Sequence, residues 1–177
     1  AGCDRLALSC LMDIDEKGIV VGHKICESVV NIDRRMTYTA VNAILEAKNG
    51  GEEAAVKEKA EFAEKCLEEY ADFVPMFLLL DETARVLRKK RMARGAVDFD
   101  FPECKIILDA KGRPVEIKPY ERNAATMLIE DCMLAANETV AEDYYWQQAP
   151  FLYRSHEKPD GEKIKRFGIL INNFGYS

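Results

Sequence analysis

The segment from Asn123 to about Tyr145 constrains this chain more than any other. Its apolar residues Ala125, Leu128, Ile129, Cys132, Ala135, Ala136 and Val140 recur at helical spacing, and Asn123 stands where an N-cap belongs. Met127, Met133 and Leu134 lie off that stripe, so the helix is apolar nearly all the way round. Such a helix is expected to be buried on several sides. Glu130 and Asn137 interrupt its second face; seven residues apart, they stack on the same side, two turns from one another. A bare buried carboxylate is costly, so Glu130 must find a partner, a metal or a ligand. Spacing leaves two readings open. Either Glu130 pairs with a nearby arginine, or the helix faces a polar channel where Glu130 and Asn137 bond the sugar or phosphate of a strand.

The rest of the chain supplies mixed partners for this helix. Leu6, Leu8, Cys10, Met12 and Ile14 alternate as one side of a strand, Glu16-Lys17-Gly18 reads as a turn, and Ile19, Val21 and Ile25 lead back. Thr37 is placed to cap a helix from about Tyr38 to Lys48, stopped by Asn49-Gly50-Gly51. From Glu52 to Tyr70 an Ala-, Glu- and Lys-rich stretch predicts a second helix. Pro75 breaks it or opens the next, in which Phe77, Leu80, Ala84 and Leu87 share a face and Gly95 is the stop. Val97 to Glu116 returns to strand character with a turn at Asp109-Ala110-Lys111-Gly112, and Asp160 opens a last helix ending near Phe174-Gly175. The order predicts an α+β fold, antiparallel β-hairpins packed with long helices, in one domain over residues 1–177.

Composition excludes several classes. At 177 residues, 48% hydrophobic and 32% charged, the chain is the size and make-up of one folded domain. No stretch is apolar enough to span a bilayer and Ala1-Gly2-Cys3-Asp4-Arg5 is no signal peptide, so a cytoplasmic location and no membrane partner are expected. The cysteines (Cys3, Cys10, Cys26, Cys66, Cys104, Cys132) stand singly, which predicts reduced thiols acting as small core hydrophobes and not a zinc site. A net charge of −6 argues against a protein that simply coats nucleic acid. Against that trend, Arg85, Arg88, Lys89, Lys90, Arg91 and Arg94 form a run without acids, either a phosphate-facing strip or a solvated helix face.

Five stretches, in order and over essentially the whole chain, resemble the RNB catalytic domain of the ribonuclease II and ribonuclease R enzymes. They are Asp4-Arg5-Leu6-Ala7-Leu8-Ser9-Cys10; Arg35-Met36-Thr37-Tyr38; Arg94 to Glu103; Glu121-Arg122-Asn123-Ala124-Ala125 running into Leu128 to Asn137; and Tyr153 to Pro159. The resemblance implies a 3′→5′ exoribonuclease that hydrolyses single-stranded RNA processively in RNA decay. It implies two divalent ions, usually magnesium, acting in a two-metal displacement. It also implies a narrow channel in which bases stack on aromatic rings and 2′-hydroxyls are sensed. By matching position, Tyr38 and Glu130 resemble residues that contact RNA near its 3′ end, and Arg122 and Asn137 stand in the same motifs.

The family's metal-holding aspartates precede the Asp4-Arg5-Leu6 motif, where this chain begins, and its downstream arginine motif would follow Ser177. The expectation is therefore a partial RNB domain that holds part of the RNA channel, has no catalytic residue or metal ligand of its own, and is inactive alone. Magnesium is then expected for the full-length enzyme and not for this piece. Two acid pairs, Asp13 with Asp15 and Asp98 with Asp100, have strand spacing that a magnesium ion could use. The first pair adjoins a turn, where solvated acids are common, and the second reads as structural. The alternative function is a non-catalytic RNA- or protein-binding module. Self-association through apolar faces exposed by truncation is a further expectation.

Overall fold

The computed structural model describes residues 1–50, 57–98, 104–119, 122–155 and 157–176. They gather into two compact units, Ala1–Asp143 and Tyr144–Ser177. The architecture is α+β, with antiparallel hairpins and long helices, as the sequence pattern predicts.

The first unit opens with β1, Asp4–Ile14, antiparallel to β2, Val20–Asn31. Their turn is built on Asp15, whose carboxylate accepts from the backbone N–H groups of Lys17 (2.9 Å) and Ile19 (2.7 Å). Gly18 completes it at a φ of +74°, a conformation that favours glycine. The register pairs Leu6 with Val29, Cys10 with Ile25 and Met12 with His23, so the alternating residues do share one side. That side is not buried along its length: Leu6 is 90% and Leu8 83% exposed. Among the described residues the contacts of the hairpin with helices lie at its turn end.

Helix α1, Tyr38–Asn49, starts where Thr37 accepts from the Ala40 N–H and stops at Gly50, which takes a φ of +74°. Helix α2 runs Lys57–Glu69; the expected start at Glu52 lies outside the described residues. Helix α3, Val74–Ala93, carries Pro75 in its first turn, where a missing N–H costs no hydrogen bond. Helix α4, Ala124–Trp146, is the long apolar helix of the sequence pattern. Ile44 and Leu45 of α1, both 0% exposed, Cys66 of α2, Phe77 and Ala84 of α3 and Leu128 of α4 make the core. Between α3 and α4 lies a second hairpin, β3 (Cys104–Leu108) with β4 (Pro114–Pro119). Its turn repeats the chemistry of the first: Asp109 accepts from the N–H groups of Lys111 (2.8 Å) and Arg113 (2.9 Å), with Gly112 at a φ of +76°. Strand character is expected from Val97, but Val97 and Asp98 are not in a strand, residues 99–103 lie outside those described, and the strands run from Cys104.

Two expectations need correction. Helix α4 is not buried on several sides: its buried residues are Ala125, Leu128, Asp131 and Thr139, while Ile129 and Met133 stand 41% and 58% exposed. One face serves the core and the opposite face is open. Nor are the cysteines uniformly core residues. Cys66 is buried, Cys10, Cys26 and Cys132 are half-buried, and Cys3 and Cys104 are exposed, all six as thiols. Burial pushes the thiols of Cys10, Cys66 and Cys132 up from their ordinary value.

The second unit holds the last turn of α4 and helix α5, Gly161–Asn172, whose N-cap Asp160 accepts from the N–H groups of Glu162 and Lys163. Tyr144 stacks on Phe151 with ring centroids 4.8 Å apart, and Phe151 meets Tyr153 edge-on at 5.3 Å. Ile164, Phe167 and Leu170 on α5 are exposed. Among the described residues no helix is long and apolar enough to cross a membrane.

Candidate nucleic-acid interface

Most of the basic run on α3 is engaged by partners within the protein, while Lys89 stays exposed. Arg85 pairs with Asp81 one turn earlier (2.6 Å), Lys90 donates to the Gly18 carbonyl (2.9 Å), and Arg94 pairs with Glu138 of α4. Arg88 and Arg91, three residues apart and so on one face, both reach Asp131 of α4 at 2.9 Å. Asp131 is 3% exposed, so these charge-assisted bonds offset the large cost of burying its carboxylate. Arg88, Arg91 and Arg94 tie α3 to α4, and Lys90 ties it to the turn of the first hairpin.

Glu130 is drawn into the same network. Its Oε1 lies 3.5 Å from Arg91, and its Oε2 lies 3.2 Å from Arg122 and 3.9 Å from Arg88. Arg122 also donates to Asp98 (2.8 Å), which in turn accepts from Arg88 (2.9 Å). Three guanidiniums thus face three carboxylates. The hydrogen bond from Arg122, helped by the charges of Arg88 and Arg91, holds the Asp98 carboxyl below the usual range. The bonds to Asp98 first and Glu130 second raise the Arg122 guanidinium above its ordinary value. Glu130 keeps 40% of its side chain exposed, on the open face of α4 with Ile129 and Met133. The arrangement fixes a carboxylate in one orientation at the surface, ready to accept a further hydrogen bond.

Beside this face a cavity of 940 Å³ opens among the first turns of α1 and α4 and the β3–β4 hairpin. Local caps set its walls. Asn123 and Thr126 cap each other reciprocally, with the Thr126 N–H on the Asn123 side chain (3.0 Å) and the Asn123 N–H on the Thr126 hydroxyl (2.9 Å). Asn42 of α1 accepts from the Ala124 N–H (3.1 Å) and so joins the two helices near the start of α4. Tyr38, the first residue of α1, lines the cavity and is 49% exposed.

The structure therefore brings Arg122 and Glu130 together directly. Tyr38 lines a cavity that Ile129, the neighbour of Glu130, lines also. Asn137 stands two turns further along α4, exposed, on the same side as Glu130. Sequence reasoning missed Arg88, Arg91 and Asp131 as partners of this site. The i, i+3 spacing of the two arginines was the available signal.

Asp15 is engaged by its own turn, Asp98 by two arginines, and Asp100 lies outside the described residues. Among the described residues no three of His, Cys, Asp and Glu come together in a way that could hold a metal ion.

Comparison with known proteins decides the family. A family profile described as RNB domain matches residues 1–175. The chain belongs to the RNB family. Ribonuclease R 1 of Lactococcus lactis subsp. lactis is 38% identical over 172 residues, 97% of this chain and 19% of the relative. Ribonuclease R of Thermotoga maritima is 39% identical over 175 residues, 98% of this chain and 22% of the relative. The chain thus spans about a fifth of the length of these curated relatives. Among solved structures, Mycoplasma genitalium RNase R in complex with double-stranded RNA matches with a TM-score of 0.73 at 21% identity, over 99% of this chain and 28% of that one. That likeness shows that the RNB segment here has the fold found in RNase R.

Proposed function

We propose that this chain forms part of the RNA channel of a 3′→5′ exoribonuclease that hydrolyses single-stranded RNA processively in RNA decay, in the cytoplasm. The observation that carries the reading is Glu130, a carboxylate held by Arg122 and Arg91 on the open face of α4, beside the cavity that Tyr38 lines. A carboxylate so fixed can accept from a ribose 2′-hydroxyl, the group that separates RNA from DNA. The Tyr38 ring offers a surface on which a base can stack. Arg122 acts as the holder of Glu130, and Asn137 extends the same polar line along α4.

In this reading residues 1–177 are a partial RNB domain. Magnesium ions would supply activation of water and stabilisation of the leaving oxygen and would be held by carboxylates other than those described, and this chain alone binds RNA weakly without cutting it. The test is a gel assay of 5′-labelled single-stranded RNA with magnesium, run alongside binding measurements on Glu130→Ala and Tyr38→Ala. Binding that each variant weakens, without shortening of the RNA, is expected. Trimming from the 3′ end that survives controls for host nuclease overturns the inactive reading, and absence of RNA binding overturns the channel reading.

A second reading, a protein-binding module that self-associates, draws on one observation. Leu6, Leu8 and Val29 share a side of the first hairpin and are 90%, 83% and 63% exposed. Light scattering that shows a monomer at all concentrations would remove it.

A further inference from the structure

The cavity that Tyr38 lines carries three cations, Arg35, Lys105 and Lys118, and among the described residues no carboxylate lines it. Lys105 and Lys118 are directly opposed across β3 and β4. Like charges at facing positions destabilise a hairpin, and facing side chains project to the same side of the sheet. The adjacent facing pair, Ile106 with Ile117, projects to the other side and is 58% and 66% exposed. The hairpin therefore turns its lysines into the cavity and its isoleucines outward. Packing alone would favour the reverse, with the isoleucines covered and the lysines in solvent. Lys118 has one further contact, Glu116 at 3.2 Å, but both side chains are more than half exposed and such a pair contributes little. The first turns of α1 and α4 border the same space, and neither carries an acid. Their partial positive charge adds to that of the lysines.

We propose that this cavity is a phosphodiester-binding subsite, in which Lys105, Lys118 and Arg35 grip the sugar-phosphate backbone of a single strand whose base meets Tyr38. The proposal rests on the reading of Tyr38 and Glu130 as RNA contacts. It adds a division of labour: the lysines position the strand without reading it, and Glu130 senses the sugar. Phosphate contacts carry no information on base or sugar, so the subsite grips RNA and DNA alike.

The experiment measures binding of labelled single-stranded RNA and of the matching DNA to the 177-residue chain across a salt series. It compares the native protein with K105Q/K118Q, K105R/K118R and Glu130→Gln. For K105Q/K118Q, affinity for both strands is expected to fall roughly tenfold at about 0.1 M salt, and the log–log salt slope to become shallower by about 1.4. K105R/K118R is expected to restore both, and if the glutamine pair does not fold the single variants K105Q and K118Q decide, each expected to make the slope shallower by about 0.7. Glu130→Gln is expected to weaken RNA and leave DNA unchanged. Native affinity and slope in K105Q/K118Q, with RNA still bound and Glu130→Gln still selective, overturn the subsite and leave the RNA-channel reading standing. A loss in K105Q/K118Q confined to RNA also overturns it. No binding of either strand by the native chain removes both readings together.

Discussion

Arg88, Arg91 and Arg122 stand where every guanidinium faces a carboxylate, whereas Arg35, Lys105 and Lys118 line a cavity in which no described carboxylate appears. Both regions are rich in positive charge, and they do opposite things with it. In the first, three arginines meet Asp98, Glu130 and Asp131, so the charge is consumed in fixing α3, α4 and the approach to α4. In the second, the charge is held toward open space at the expense of an unfavourable cross-strand pair. A chain with a net charge of −6 can therefore offer a local cationic site. The most conspicuous basic run in the sequence is not where that site lies.

The largest effect that sharpens this contrast is expected at Asp131. Replacing it with alanine removes the most buried carboxylate of the network and leaves Arg88 and Arg91 the more exposed Asp98 and Glu130, at a cost of about 3 kcal/mol, read from urea unfolding. A loss below about 1 kcal/mol would mean that the network is ornamental and its arginines are available to ligand. Next is Tyr38→Ala, which is expected to cost about 1–3 kcal/mol in RNA affinity by loss of stacking and to leave unfolding unchanged, since the ring is half-exposed. Equal RNA binding by the variant would remove the aromatic from the second region.

Acid titration separates the regions more gently. The folded-state Asp98 carboxyl is depressed, so its stabilisation is complete above the ordinary carboxylate range, about pH 4, and is lost as pH falls through the lower folded value. Asp98→Asn is expected to flatten the pH dependence of stability below about pH 4 and to leave its shape near neutrality unchanged. An identical acid limb in both proteins would contradict the assignment. The smallest effect is expected for Arg94→Gln. Its pair with Glu138 is about half exposed on both sides, and a change of at most about 1 kcal/mol is predicted.

Much of the frame was legible because local rules set it. Thr37, Asn123 and Asp160 are caps in the structure as in the sequence, Gly18, Gly50 and Gly112 take the positive φ their turns need, and Pro75 opens α3. The family was legible from five ordered motifs. What could not be read were pairings over long separations. Arg88 and Arg91 find Asp131 across 43 and 40 positions, and no periodicity within α3 reports that. The same limit applies to Leu6 and Leu8: alternation gives the shared side, and tertiary docking alone tells whether that side is covered. Glu130 shows both outcomes at once. The sequence left an arginine pairing open as one of two readings, and the i, i+3 spacing of Arg88 and Arg91 did not say that Glu130 is among their partners.

One consequence follows from how the first hairpin is attached. Gly18 sits buried at its turn, where an added Cβ would lie 3.2 Å from Val86, and Lys90 bonds the Gly18 carbonyl. His23 and Met12 add contacts near the same end, to Asp143 and Thr139, while Leu6, Leu8 and Val29 far from the turn are exposed. The hairpin is thus a cantilever clamped at its tip. Amide hydrogen exchange should grade along it, slow beside the clamp and faster toward Arg5 and Val30, and Gly18→Ala should loosen the whole beam by prising open the contact with Val86.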